Sequence, residues 1–186
     1  MTTFTADRRV REGRMALNAA PEAVFPLLCP VREYEWIDVW DCRLVYTGSG
    51  AAEADCVFTT DFAHHGGAET WVVSRYEPPR AIEFVRFSPG QKVVRLAVTL
   101  TLMGSDRTTA TWKKVFTGLS DAGNRFIETA AGELFDLEVA RIEALLNHFL
   151  DTGTMLTGTA LPGAGGPPAD DRRQKHQKQT STATAN

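Results

Sequence analysis

The chain has 186 residues, of which 43% are hydrophobic, and its formal net charge is −3. These values are ordinary for one soluble globular domain, and they give no support for nucleic-acid binding or for a polybasic membrane anchor. Three cysteines, Cys29, Cys42 and Cys56, lack CxxC spacing and indicate neither a disulfide framework nor a zinc ribbon. No signal peptide is visible and no apolar stretch approaches the ~20 residues of a membrane span, so we expect a cytoplasmic protein.

The first part of the chain predicts one strand followed by two short helices. Residues 9–17 are expected to form a strand with Met15 and Leu17 on one face. Pro21 suits the first turn of a helix, because a backbone N–H is not needed at that position. A short apolar helix follows, and a second short helix is predicted over residues 31–36.

The middle of the chain changes to strands separated by turn residues. The alternation of Val94, Leu96 and Val98 with polar residues is the clearest strand pattern. Spacings of about 8–15 residues between strands indicate antiparallel hairpins rather than helical crossovers. If the glycine-containing turn after the first of these strands makes a hairpin, Cys42 should pair near Thr60. The predicted strands cover residues 42–47, 54–62, 69–77, 82–87, 93–103 and 108–118.

The last predicted element is one long helix. Ser120 is a suitable N-cap, and the helix is expected to continue to about Leu150 and to end at Gly153. Its apolar residues, among them Ile127, Leu134 and Leu145, form one broad face.

The end of the chain has a different composition. Beyond Leu161 there is no aromatic or large aliphatic residue, so this segment cannot bury enough surface to offset the entropy of ordering. We therefore expect a folded domain over residues 1–158 and a disordered Gly/Pro/polar tail over residues 159–186.

Several runs within this order of elements resemble the START-like superfamily, also called Bet v 1-like or SRPBCC. They are APEAVFPLL (20–28), YEWIDVWDCRLVYTGSGAAEADCVFTT (34–60), WVVSRYEPPRAIEFVRFSPG (71–90), KKVFTGLSDAGN (113–124) and ALLNHFLDTG (144–153). The resemblance covers roughly residues 8–158 and is greatest to bacterial polyketide cyclase/dehydrase-like and lipid-transport-like members. It implies an α+β helix-grip fold, in which a curved antiparallel sheet of six to seven strands wraps around a long C-terminal helix, with two short helices after the first strand.

The same resemblance implies a hydrophobic cavity between the sheet and the long helix. We therefore expect the protein to bind a small hydrophobic or amphipathic ligand, such as a lipid or a polyketide, without a cofactor, without nucleic acid and without insertion into a membrane. The sequence has no GxSxG, Walker A or HExxH motif. Two alternatives stay open: a cyclase or dehydratase acting in the same cavity, and an interaction module like the helix-grip relatives that stimulate Hsp90.

Aromatic residues on the predicted strands are the main candidates for the cavity wall. Aromatic side chains in proteins usually pack in a solid core, but the resemblance favours a cavity for strand positions that face the long helix. The candidate ligand-binding residues are Trp36, Phe58, Thr60, Trp71, Phe84, Leu96, Val98, Trp112, Leu134, Glu138, Arg141 and Leu145.

Glu138 and Arg141 place charge on the apolar side of the predicted helix. They lie about 40° and 20° to either side of Leu134, and their three-residue spacing lets the two side chains meet. Three interpretations stay open: charged ends that reach water, a structural ion pair, or a pair that faces the cavity. In the last case Arg141 would hold a ligand carboxylate or carbonyl, and Glu138 would orient Arg141 or act as an acid or base.

His64 and His65 are the local feature that most resembles a metal site. Adjacent residues on a strand point to opposite faces, so both rings cannot easily bind one ion. We therefore expect a solvated hairpin tip at this position and no metal.

Removal of residues 162–186 is expected to leave folding unchanged, because the segment has no large apolar side chain to bury. Thermal unfolding of a chain that ends at Leu161 should give a Tm within about 4 °C of the full chain, the shift that corresponds to ~1 kcal/mol. A larger fall in Tm would show that the tail makes contacts that stabilise the domain.

Overall fold

Seven strands form one antiparallel sheet in the computed structural model, which describes residues 3–158. They are β1 (Arg8–Leu17), β2 (Cys42–Tyr46), β3 (Val57–Phe62), β4 (Gly67–Glu77), β5 (Ala81–Ser88), β6 (Lys92–Met103) and β7 (Arg107–Gly118). Their order across the sheet is β1-β7-β6-β5-β4-β3-β2. The predicted tail over residues 159–186 lies outside the described residues.

The strand pattern confirms the antiparallel prediction. On β6, Val94, Leu96 and Val98 are buried while the residues between them are partly or fully exposed. Cys42 pairs with Thr60 across β2 and β3, as the hairpin at residues 48–50 required. Because side chains alternate between the two faces of a strand, every second residue points to the concave face that carries the core.

Short helical segments follow β1, as predicted. Helix α1 (Pro21–Val24) has a proline in its first turn and continues directly into a 3-10 turn over Phe25–Leu28. The second segment is a 3-10 turn over Glu33–Glu35, which is shorter than the predicted helix over residues 31–36.

The prediction of a single C-terminal helix is wrong in one respect. The chain forms two helices there, α2 (Asp121–Ala130) and α3 (Glu133–Thr152). Gly132, between them, has φ −87° and ψ −138°, which is not helical. The Arg11 side chain donates a hydrogen bond of 2.6 Å to the carbonyl of Ala131 and pairs with Asp136 at 2.7 Å. Arg11 of β1 therefore stabilises the break between the two helices, because it binds the Ala131 carbonyl, which is left without a helical partner.

The division changes which face of the helix is buried. The buried residues of α3 are Phe135, Val139, Ile142, Leu145 and Leu146, whereas Leu134 is 44% exposed. Leu134 is therefore not on the buried face, although the prediction of an uninterrupted helix placed it among the apolar residues of that face. The end of α3 at Gly153, with φ +68°, and the Ser120 cap of α2 are as expected.

Two glycines allow the helices to approach the sheet closely. A Cβ on Gly13 of β1 would lie 2.8 Å from Cγ2 of Val139, so α3 can cross β1 only because this residue has no side chain. A Cβ on Gly123 would lie 1.8 Å from the carbonyl oxygen of Gln91. Within residues 3–158, none of the helices has the length and hydropathy needed to cross a membrane.

Gly123→Ala is expected to lower the free energy of unfolding by about 1–3 kcal/mol, because the new methyl group meets backbone that cannot move without displacing α2 or β6. Urea unfolding measures the change. Gly48→Ala is the control, since its Cβ would meet only the flexible side chain of Glu53, at 3.2 Å. Equal stability of the two variants would contradict this account of the contact between α2 and Gln91.

Candidate functional site

Two neighbouring cavities lie between the concave face of the sheet and the helices. The first, which we call the aromatic chamber, has about 810 Å³ of empty space including its opening to solvent. The second, the cationic chamber, has about 660 Å³ measured in the same way. His64, His65, Arg86 and Glu138 line both cavities, and we call these residues the charged partition.

Most of the sequence-predicted candidates lie on the wall of the aromatic chamber. They are Trp36, Phe58, Trp71, Phe84, Leu96, Val98, Trp112, Glu138 and Arg141. Thr60 is behind the wall, where it accepts a hydrogen bond of 2.9 Å from Trp71 Nε1. Leu145 is buried in the core, and Leu134 lines only the cationic chamber.

The aromatic wall is held together by ring contacts around Trp71. Its ring stacks on Phe58 with centroids 5.1 Å apart and meets Phe84 edge-on at 5.8 Å. Trp40 meets Trp71 at 6.2 Å, and its own N–H donates to the carbonyl of Pro30 at 2.7 Å. These contacts fix an apolar surface that can receive the face or the edge of another ring.

The charged partition corrects the prediction for the two histidines. His64 and His65 are at the predicted turn between β3 and β4, in a 3-10 turn over Ala63–His65, and their rings lie 4.2 Å apart. The turn is not a solvated tip, because both rings line the two cavities. Burial lowers the pKa of both rings, most strongly that of His65, so they are neutral at pH 7.

A buried ion cluster supports the partition from the sheet side. Arg86 Nε donates to Glu69 at 3.1 Å, and Lys92 Nζ lies 3.0 Å from the same carboxylate. Ser88 donates a further hydrogen bond of 3.2 Å to Glu69. Burial alone would raise the pKa of Glu69, but the charges of Arg86 and Lys92 outweigh it and hold this pKa below its usual value. The Arg86 guanidinium also lies 4.2 Å from the centre of the Trp71 ring.

Glu138 and Arg141 do not pair with each other, although both line the aromatic chamber. Glu138 receives a hydrogen bond of 2.6 Å from the buried Lys114 of β7. Arg141 pairs with Asp38 at 3.2 Å. Burial would raise the pKa of Glu138, but the charge of Lys114 lowers it. The two charges on α3 are therefore held by residues from other elements.

Some polar groups of the aromatic chamber have no partner among residues 3–158. Trp112 Nε1 and Arg141 Nε are buried donors without an acceptor. The Glu33 carboxyl also lines the chamber, and burial raises its pKa to about 8 although the charge of Arg86 opposes this. In this part of the chain, no cluster of three or more His, Cys, Asp or Glu residues is placed to hold a metal ion.

Sequence reasoning missed Glu33, Arg86 and Lys114. Arg86 and Lys114 could have been found. Each lies two residues after a buried aromatic residue of its strand, Phe84 or Trp112, and therefore on the same inward face. Glu33 gives no such signal, since it lies in a short turn without a regular pattern.

No family model matches the chain, and no curated protein matches it. Norcoclaurine synthase from Thalictrum flavum, in complex with dopamine and hydroxybenzaldehyde, superposes with a TM-score of 0.56 at 8% identity, over 79% of this chain and 89% of that one. The Zhui aromatase/cyclase from Streptomyces sp. R1128 gives a TM-score of 0.57 at 14% identity, over 81% of this chain and 100% of that one. The chain has the helix-grip fold.

A further match is DynU16, a protein of the dynemicin biosynthetic locus, with a TM-score of 0.49 at 20% identity. The match covers 78% of this chain and 48% of DynU16, so this chain spans about half the length of that protein. At these identities the comparisons establish the fold and leave the activity to be argued from the site.

Lys114→Met is expected to lower the free energy of unfolding by about 3–5 kcal/mol at neutral pH, because it leaves the Glu138 charge without a buried partner. In the native protein the Glu138 pKa is lowered, so this group stabilises the fold above a pH of about 4.3 and loses that effect as the pH falls. In the variant Glu138 binds a proton at higher pH, which removes the unpaired charge. The stability difference should therefore narrow as the pH is lowered from neutral toward about 4.

Urea unfolding at several pH values tests this expectation. Arg75→Met is the control, because it removes one member of the exposed pair with Glu77 and should change stability little at any of these pH values. A difference between wild type and Lys114→Met that stays constant with pH would contradict the assigned role of Glu138.

Proposed function

We propose that this protein binds a small, mainly aromatic or otherwise apolar molecule in the aromatic chamber, with an oxygen of that molecule accepting hydrogen bonds from the protein. The observation that carries the proposal is the presence of two buried donors without an acceptor, Trp112 Nε1 and Arg141 Nε, in residues that line an otherwise apolar wall. A buried donor without a partner costs about 1–3 kcal/mol, which an acceptor on a ligand would recover.

The composition of the chamber supports this class of ligand. Phe58, Trp71 and Phe84 form one wall, and Leu96 and Val98 continue it along β6. Removing the apolar surface of a ligand from water on this wall contributes about 25 cal/mol per Å².

The charge distribution supports an oxygen acceptor rather than a cationic group. Arg86 and Arg141 both line the chamber. Glu69 binds Nε and Nη2 of Arg86, and none of the described residues binds its Nη1. The unpaired carboxyl in the chamber, Glu33, is neutral below a pH of about 8. A carbonyl, phenol or carboxylate is therefore the favoured polar group of the ligand.

A structural neighbour binds molecules of the proposed chemistry. The norcoclaurine synthase of the same fold holds dopamine and hydroxybenzaldehyde, which are small aromatic molecules with oxygen substituents. We also place this binding in the cytoplasm. The three cysteines support that location, since they are buried and unpaired and thiols stay unpaired in reducing compartments.

Two probes of similar shape test the role of the Trp112 N–H: 2-acetonaphthone, which has a carbonyl oxygen, and 2-isopropylnaphthalene, which has none. Both are expected to bind saturably, with about one site per chain. Trp112→Phe removes the N–H and keeps a ring, so it should weaken the ketone relative to the hydrocarbon by about 2- to 10-fold, the value of one hydrogen bond. The ratio of the two dissociation constants, measured by calorimetry, is the readout.

Trp40→Phe is the matched control. Trp40 lines the same chamber, but its N–H already donates to Pro30, so this variant should leave the ratio unchanged. An unchanged ratio in Trp112→Phe would show that the Trp112 N–H does not donate a hydrogen bond to the ketone. Failure of both probes to bind the folded wild-type protein would contradict the proposed function itself.

A further inference from the structure

Two titratable side chains of the aromatic chamber take no part in its ion pairs. Glu33 lies on the 3-10 turn over Glu33–Glu35, and His64 lies on the 3-10 turn that joins β3 to β4. Both side chains line the aromatic chamber. The two turns are about thirty residues apart in the chain, and only the folded sheet brings them to one cavity.

The Glu33 carboxyl is in a state that allows it to donate a proton. None of the residues 3–158 gives it a hydrogen bond, and the charged group that acts on it is Arg86, whose guanidinium pairs with Glu69. The thiols of Cys29 and Cys42 are the other titratable groups that interact with it, and burial keeps both protonated by raising their pKa. Burial likewise raises the pKa of Glu33 to about 8. At neutral pH this residue is a carboxylic acid inside an apolar cavity.

His64 is in a state that allows it to accept a proton. Its Nδ1 is buried and has no hydrogen-bond partner in the described part of the chain, so a protonated ring would hold an N–H without an acceptor. Four charged groups act on the ring from the elements around it: Glu138 of α3, Arg86 of β5, Lys114 of β7 and Glu69 of β4. Burial dominates and lowers the pKa of His64, so the ring is neutral at pH 7 and can accept a proton.

We infer that Glu33 and His64 act as general acid and general base on a carbonyl compound bound in the aromatic chamber. The inference rests on the proposed function, since the chamber must first bind such a molecule. Ordinary carboxyl groups titrate near 4.3 and ordinary imidazoles near 6.5. In this protein the pKa of the Glu33 carboxyl is higher than that of the His64 ring. Two groups whose environments push their pKa values apart in this way are suited to acid and base roles in one reaction.

The elementary step is enolisation of the bound carbonyl compound. The Glu33 carboxylic acid gives its proton to the carbonyl oxygen, and His64 removes a proton from the adjacent carbon. The electron pair of the broken C–H bond becomes the carbon–carbon double bond, and the π pair of the carbonyl forms the new O–H bond. The products are an enol, a carboxylate and an imidazolium, and the reverse step returns a proton to carbon and restores both side chains.

The test measures exchange of the α-protons of 2-tetralone, a cyclic ketone fused to a benzene ring, for deuterium in D₂O by NMR. Binding of the same probe is measured separately by tryptophan fluorescence. The protein is expected to accelerate exchange over buffer, with a rate that is highest near neutral pH and falls above a pH of about 8 as Glu33 ionises. The rate should also fall in acid as His64 is protonated, at a lower pH than for an ordinary imidazole because burial lowers the pKa of His64. Tetralin, a hydrocarbon of similar shape, should suppress the acceleration by competition.

Glu33→Gln keeps the shape and the neutral charge of the acid but cannot donate its proton, so exchange should fall by about 100-fold or more and the alkaline decline should disappear. His64→Phe keeps a ring beside Phe62 and should cause a similar fall in rate, with loss of the acidic decline. Glu35→Gln is the matched control: it is on the same turn, its carboxylate pairs with Arg32, and it does not line the chamber. This control should exchange at the wild-type rate.

Binding of 2-tetralone without accelerated exchange would overturn the acid–base assignment and leave the proposed binding function standing. Wild-type exchange in Glu33→Gln or in His64→Phe, with binding retained, would overturn it as well. Failure of 2-tetralone to bind at all would contradict the proposed function and, with it, the inference. Loss of exchange in both variants with retained binding would support the two roles.

Discussion

Alternation along the strands places charged residues on a face that must also carry the core. Glu69, Arg86, Lys92 and Lys114 all point inward, and a charge in that position is tolerated only when it is paired. Within the sheet, Arg86 and Lys92 both pair with the carboxylate of Glu69. Lys114 makes its ion pair with Glu138 on α3. The sheet therefore requires the helix to present a carboxylate at one position, in addition to an apolar face.

The two cavities follow from this arrangement. A continuous apolar face would let the helix pack against the whole sheet, as protein interiors normally do. The charged partition instead interrupts the apolar surface, with aromatic residues on one side and the lysines on the other. Gly13 lets α3 lie close to β1 at one edge of the sheet, so the space that remains lies over the strands beyond it. Burial of unpaired groups in that space produces the shifted pKa values of Glu33 and His64.

Strand periodicity also explains which site residues could be predicted. Phe58, Trp71, Phe84 and Trp112 are found on the chamber wall because a two-residue repeat defines one face of each strand. Predictions for the helix were less accurate, because the break at Gly132 was not predicted and Leu134, two residues after it, is exposed. The turn at His64 and His65 was predicted, but the burial of both rings was not, since a 3-10 turn does not place adjacent side chains on opposite faces as a strand does.

The sequence by itself determined the order of elements, the antiparallel pairing and the inward face of each strand, because these depend on local periodicity and on turn residues. It also determined the caps at Ser120 and Gly153, which depend on single residues. Only the tertiary structure decided that Glu138 pairs with Lys114 and that Arg141 pairs with Asp38. It alone brought Glu33 and His64 to one cavity. Contacts of this kind join residues that are far apart in the chain, and their burial, which sets their charge states, exists only once the sheet and helices have packed.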